Sequence, residues 1–130
     1  MNARLFAYLS YRDAPAALDW LVACGFQIVQ RIDGDDGRVL HSEARLGDAV
    51  VIVASNDPDL DDTVLVDTPG PHGLYLLVAD VDELYERAVA AGAIPVIPPE
   101  TTEWTTRRAR VLDLEGAEWT FGSYEPGVGV

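Results

Sequence analysis

His41 and Glu43 stand two positions apart in a stretch, residues 38–46, that reads as a strand. Strand side chains repeat every second residue, so both point the same way from backbones about 6.5–7 Å apart. An imidazole and a carboxylate so placed can grip one ligand together. They can also serve as acid and base if a substrate comes within hydrogen-bond reach. A polar strand facing solvent or a partner chain accounts for the same pattern. His72 would complete an unorthodox metal trio with them, although it follows the Pro69-Gly70-Pro71 turn. Trp104 sits in a polar stretch, Thr101-Thr102-Glu103-Trp104-Thr105-Thr106-Arg107-Arg108. A large aromatic there either caps the edge of the core or stacks on a flat conjugated ligand. Arg107, Arg108 and Arg110 are ligand contacts or charged guards of a strand edge. All nine basic residues are arginine, so Schiff-base chemistry and a phosphate-loop lysine are excluded.

The elements that must position these residues are legible because the chain reads twice. Tyr8, Leu9, Asp13 and Val22-Ala23-Cys24-Gly25 recur 67 positions later as Tyr75, Leu76, Asp80 and Val89-Ala90-Ala91-Gly92. A repeat of that length implies two copies of one supersecondary unit. Residues 4–11 read as a strand. Asp13 caps a helix that carries Leu18, Leu21 and Val22 on one face and stops at Gly25. Strands follow over 26–32, 38–46 and 49–54. A polar, proline-bearing connection over 55–71 leads to the second copy. It has a strand at 72–79, a helix capped by Asp80 with Glu83 set as in a capping box, and strands near 93–97, 105–112 and 117–123. The first module spans about 4–54 and the second about 72–123, within one domain of residues 1–130.

Alternation then sorts side chains by face. Leu5, Ala7 and Leu9 belong on the helix side of the first strand, and Phe6, Tyr8 and Ser10 on the other. Leu40, Ala44 and Leu46 form a helix-facing set, which leaves Val39, His41, Glu43 and Arg45 opposite. Trp119 and Phe121 fall on the helix side as core, and Trp20 is core or interface. Cys24 matches Ala91 in the repeat and reads as a small packing residue.

Composition bounds the function. The chain has 130 residues, 48% of them hydrophobic, one cysteine and a net charge of −13. Nucleic-acid binding needs a basic surface and is not expected. No apolar run reaches the roughly 18 residues of a membrane span. Met1-Asn2-Ala3-Arg4 leads straight into a strand pattern, and the lone cysteine suits a reducing compartment, so a cytoplasmic location is expected.

The arrangement resembles the vicinal oxygen chelate superfamily of glyoxalases, extradiol dioxygenases and bleomycin-resistance proteins. The residues that carry the resemblance are Tyr11-Arg12-Asp13 opening the first helix and Ala90-Ala91-Gly92-Ala93 closing the second. To these is added the stretch from Arg110 through Asp113-Leu114-Glu115-Gly116 to Phe121, with Leu114 where the family habitually has proline. The resemblance implies an α+β fold of tandem βαβββ modules whose curled mixed sheets form a U-shaped cleft. Metal-dependent members carry His, Glu or Gln at four strand positions. These fall here on Phe6, on Val51 or Ile52, on Leu74 or Gly73, and on Thr120. None offers the donors a catalytic metal requires, so no metal or other cofactor is expected. Relatives also carry tryptophan followed by glycine and arginine near Trp104, where this chain has Thr105.

The expected function is therefore a metal-independent binding protein, similar to the bleomycin-resistance branch, that sequesters an aromatic or cationic antibiotic or natural product. The expected ligand contacts are Phe6, Tyr8, His41, Glu43, Leu74, Trp104, Arg108 and Thr120. The alternative is a metal-free isomerase, cyclase or lyase-type enzyme using the same cleft. A homodimer is the expected assembly.

Overall fold

The computed structural model describes residues 1–56 and 73–128. The elements run β1 (Ala7–Tyr11), α1 (Ala14–Ala23), β2 (Gln27–Asp33), β3 (Val39–Leu46) and β4 (Ala49–Ser55). They continue as β5 (Gly73–Leu77), α2 (Val81–Ala90), β6 (Ile94–Thr101), β7 (Arg107–Leu112) and β8 (Glu118–Gly122). Each half is strand, helix and three strands, as the repeat predicts. Most of the expected 55–71 connection, and His72, lie outside the described residues. No helix among the described residues is long and apolar enough to cross a membrane.

The repeat is reproduced in individual hydrogen bonds. Asp13 accepts from the Ala16 amide at 3.1 Å, and Asp80 accepts from the Glu83 amide at 3.0 Å. Both satisfy a donor that the first helical turn leaves orphaned. The Glu83 carboxylate pairs with Arg87 one turn on, at 3.0 Å. At the far ends, the Phe26 amide reaches back to the Leu21 carbonyl at 2.9 Å and the Ala93 amide to the Ala88 carbonyl at 3.0 Å. Each closure needs a left-handed residue in between, and Gly25 (φ 110°) and Gly92 (φ 114°) supply it.

The chain divides into two compact units, one holding α1 up to Val22 with β1–β4, the other holding Ala23–Gly25 with β5–β8 and α2. In the first, the strands lie in the order β1-β4-β3-β2, with β1 and β4 parallel and the other pairs antiparallel. Val51, Val53, Ser42 and Ala44 mark its buried face, and α1 buries Ala14, Ala17, Leu18, Trp20 and Leu21. The face expectation for 38–46 needs one correction. Val39 is fully buried and Leu40 is 51% exposed, the reverse of the expected sides. The pairing of β2 with β3 slips between Ile32–His41 and Asp33–Val39, which leaves Leu40 without an opposite residue. Such a bulge turns the alternation over on one side of it only. Beyond it, Ser42 and Ala44 point inward and His41 and Glu43 outward, as expected.

The second unit repeats the plan as β5-β8-β7-β6, with β5 and β8 parallel. Helix α2 lies against β6, β7 and β8 and buries Val81, Leu84 and Ala88. Facing it are Leu76, Ala109, Val111, Trp119 and Phe121, all buried. Strand β6 runs further than expected, to Thr101, despite Pro95, Pro98 and Pro99. It lies at the sheet edge with irregular register, where missing amides disrupt little. The β7–β8 turn explains the motif around Asp113. This aspartate is only 2% exposed, and it accepts from the amides of Glu115 and Ala117 and from the Trp119 indole at 3.0 Å. Three donors compensate the buried carboxylate and fix both the turn and the largest core side chain.

Candidate functional site

Strand register in the second unit defines two faces. Leu74 pairs with Trp119, and Leu76 with Phe121, so these share the face under α2. Tyr75 pairs with Thr120, which pairs with Arg110. Leu77 pairs with Gly122, which pairs with Arg108, which pairs with Glu100. These two rows form the other face. At Gly122 the surface dips, since it has no side chain. The Tyr75 ring occupies that dip, and a Cβ on Gly122 would run into it. The Tyr75 hydroxyl goes on to donate to the Tyr124 carbonyl at 2.6 Å, and burial raises the phenol pKa above its ordinary value. Reciprocal bonds hold the neighbouring Ser123, whose hydroxyl accepts from the Arg107 amide and whose amide donates to the Arg107 carbonyl.

The β6–β7 loop supplies the opposite wall. The Thr102 amide donates to the Thr106 carbonyl at 2.7 Å and their hydroxyls meet at 2.8 Å. Inside this clasp Thr105 takes φ 65°, the only positive φ at a non-glycine position among the described residues. It is the position where a glycine was expected by resemblance, and the threonine adopts the glycine conformation. The loop leaves Trp104 64% exposed, so it is a projecting ring and not a cap on the core.

Between these walls lies a cavity of about 360 Å³. Among the described residues its aromatic lining is Tyr75, Trp104 and Tyr124, joined by Thr102, Thr106, Arg107 and Arg108. The volume is at the low end of the range for small-molecule sites, enough for a fused ring system. Arg107 is held rigidly by Asp82 at the start of α2, with Nε and Nη2 donating to its two oxygens at 3.0 and 2.7 Å. That fork lowers the Asp82 pKa and raises that of Arg107. Arg108 donates to Glu100 through Nη2, and its Nε is buried with no hydrogen-bond partner.

A second cluster lies in the first unit. His41 Nε2 and Glu43 Oε2 are 2.7 Å apart, and both side chains are partly exposed. Glu43 pairs with Ile52, which pairs with Tyr8 on β1, so the dyad and an exposed aromatic share one face. The Arg4 guanidinium lies 5.0 Å from the Phe6 ring centre.

Of the residues expected at a ligand, Trp104 and Arg108 line the cavity together. Phe6, Tyr8, His41 and Glu43 lie in the first unit. Thr120 is 8% exposed, accepts from Arg110 Nε at 2.9 Å, and is not among the described lining residues. Leu74 is corrected, because its register with Trp119 puts it on the helix-covered face. Tyr75, one residue on, takes the outward place. The repeat carried that signal, since Tyr75 answers Tyr8, which alternation put on the outward face. Tyr124 and the threonine clasp had no such signal.

The same registers sort by face the alternatives that the resemblance left at its expected metal positions. Ile52 rather than Val51, and Gly73 rather than Leu74, lie on the outward faces. With Phe6 and with a Thr120 hydroxyl already bonded to Arg110, that set does not fit a metal ion. Among the described residues, no three His, Cys, Asp or Glu side chains are grouped to hold one. Cys24 is buried, and its thiol is pushed up to about 12 by desolvation against a smaller lowering from Arg87, so it is inert as a nucleophile.

Comparison with known proteins gives consistent matches. The family model of the glyoxalase/bleomycin resistance protein/dioxygenase superfamily matches residues 5–121. An uncharacterised protein of Mycobacterium tuberculosis is 32% identical over 126 residues, covering 91% of this chain and 72% of that one. The crystal structure of TioX from Micromonospora sp. ML1 is 30% identical with a TM-score of 0.74, covering 95% of this chain and all of that one. A bleomycin-binding protein crystallised with bleomycin shares the fold at 22% identity and a TM-score of 0.64, over 95% of this chain and all of that one.

Proposed function

The chain belongs to the glyoxalase/bleomycin resistance protein/dioxygenase superfamily, and from that membership we propose that it is a binding protein that sequesters a flat aromatic compound. The observation that carries this reading is the cavity walled by Tyr75, Trp104 and Tyr124. Aromatic walls give a planar ligand large contact area at small entropic cost. A structure of one superfamily member with bleomycin bound supports the ligand class, an antibiotic or natural product with conjugated rings. Sequestration protects by stoichiometry and needs no turnover.

Titration of the tryptophan fluorescence against a panel of antibiotics and conjugated natural products tests it. Trp104 is the exposed indole, whereas Trp20 and Trp119 are buried, so quenching should vanish in Trp104→Phe while the fold stays intact. No member of the panel binding below about 100 μM, an affinity of about 5.5 kcal/mol, would remove the reading.

A second reading is favoured by the 2.7 Å His41–Glu43 contact. A carboxylate that orients an imidazole is the arrangement of a general acid–base pair. In that case the chain catalyses a metal-free isomerisation, cyclisation or elimination. Glu43→Gln would then abolish turnover and leave binding in place, and equal loss of both would count against it. We also propose that the chain pairs with a second copy. The exposed apolar residues of the edge strands, Val29 and Ile32 on β2 and Ile94 and Val96 on β6, support this. A monomeric mass in light scattering at micromolar concentration contradicts it.

A further inference from the structure

We propose that the Trp104 cavity prefers aromatic carboxylates, held by Arg108, over the cationic aromatics that the overall charge of the chain would attract. This rests on the binding reading above and names the ligand class of the same cavity. The net charge of −13 draws cations from a distance. Salt screens that field within about 8 Å under physiological conditions, so the groups in the wall decide what is held on contact.

Among the described residues the wall contains no carboxylate, and its only charged side chains are Arg107 and Arg108. Its other polar groups are largely engaged. The Tyr75 hydroxyl donates to Tyr124, the Thr102 and Thr106 hydroxyls bind each other, and Arg107 gives Nε and Nη2 to Asp82 and Nη1 to Thr101. Arg108 differs. Its side chain is 43% exposed, it meets Glu100 through Nη2, and its Nε has no acceptor among the described residues. The Nε–Nη2 edge of a guanidinium matches the two oxygens of a carboxylate in one plane. Glu100 engages only half of that edge. A ligand carboxylate taking the whole edge, with Glu100 displaced toward solvent, satisfies the orphaned N–H while the attached rings lie among Trp104, Tyr75 and Tyr124. An ammonium in the same place would put two like charges together and leave Nε unmet.

Three probes of one shape test this on the whole protein at about 0.15 M salt: naphthalene-2-carboxylate, 2-naphthylmethylammonium and neutral 2-naphthamide. Calorimetry and tryptophan quenching should rank the carboxylate at least about tenfold tighter than the ammonium. Arg108→Gln should bring the carboxylate down to the affinity of the amide. Arg108→Lys, which keeps the charge and loses the planar edge, should fall between. Glu100→Gln should tighten the carboxylate. An ammonium that binds as well as the carboxylate, or an Arg108→Gln protein with an unchanged ranking, overturns the proposal while amide binding upholds the sequestration reading. Failure of all three probes to bind below about 1 mM overturns both. The ranking on the unaltered protein decides even if a variant does not fold.

Discussion

Thr105 holds a backbone conformation that suits glycine. A β-branched residue at φ 65° carries steric strain of about 1–2 kcal/mol, because its Cβ crowds the following carbonyl. Its hydroxyl offsets part of this by donating to the Trp104 carbonyl at 2.5 Å. Glycine would remove the strain but enlarge the freedom of the unfolded loop. Thr105→Gly is therefore expected to stabilise the protein by about 0.5–1 kcal/mol in urea denaturation. A lower urea midpoint would show that the hydroxyl outweighs the strain. Gly122 is the converse case, a glycine required by a neighbour and not by its own dihedrals. Gly122→Ala should cost about 1–3 kcal/mol through overpacking against the Tyr75 ring. The cost should shrink when Tyr75→Ala is made with it. Simple additivity of the two changes would show that the ring and the glycine do not compete for one space.

At the scale of elements, one pair ties α2 to β7. Arg107 opens the strand, Asp82 lies in the first turn of the helix, and their fork holds the Arg107 wall of the cavity in place. The bond to Arg107 depresses the Asp82 carboxyl in the folded chain. As pH falls, the unfolded chain takes up that proton first, near pH 4. The stabilisation is thus complete above pH 4 and is lost as pH falls through the lower folded value. Unfolding midpoints of the protein and of Asp82→Asn should differ at pH 6 and converge toward pH 3. A gap that persists unchanged at pH 3 would mean that the carboxylate charge is not what the pair contributes. Both partners are substantially exposed, so the effect is a modest one.

For the whole molecule the dominant electrostatic fact is 22 acidic residues against nine arginines. Ion pairs join arginine or His41 to carboxylates such as Asp82, Glu43, Glu83 and Glu118, but nine arginines cannot match 22 acidic residues, so most of the acidic excess is left to repel itself. Screening should relieve that repulsion. Raising salt from about 0.01 to about 0.15 M shortens the screening length from about 30 to about 8 Å, and the thermal midpoint should rise. A fall over that range would mean that the ion pairs matter more than the net charge. This long-range term sets solubility and the approach of ions, whereas selection in the cavity belongs to single side chains.

The amino-acid sequence by itself determined the duplicated plan. Its caps, glycine stops and apolar periods are local signals, satisfied within a few residues, and Asp13, Asp80, Gly25 and Gly92 do in the structure what their positions announce. The tertiary structure alone decided which side chains meet. Strand alternation holds only between bulges, so the slip at Leu40 reversed two faces that the sequence pattern could not mark. Register between β5 and β8 is set by pairing across the sheet, and it moved Leu74 inward and Tyr75 out. The cavity itself joins the β6–β7 loop, β5 and residues beyond β8. Its walls are distant in sequence, and only packing brings Trp104, Tyr75 and Tyr124 around one space.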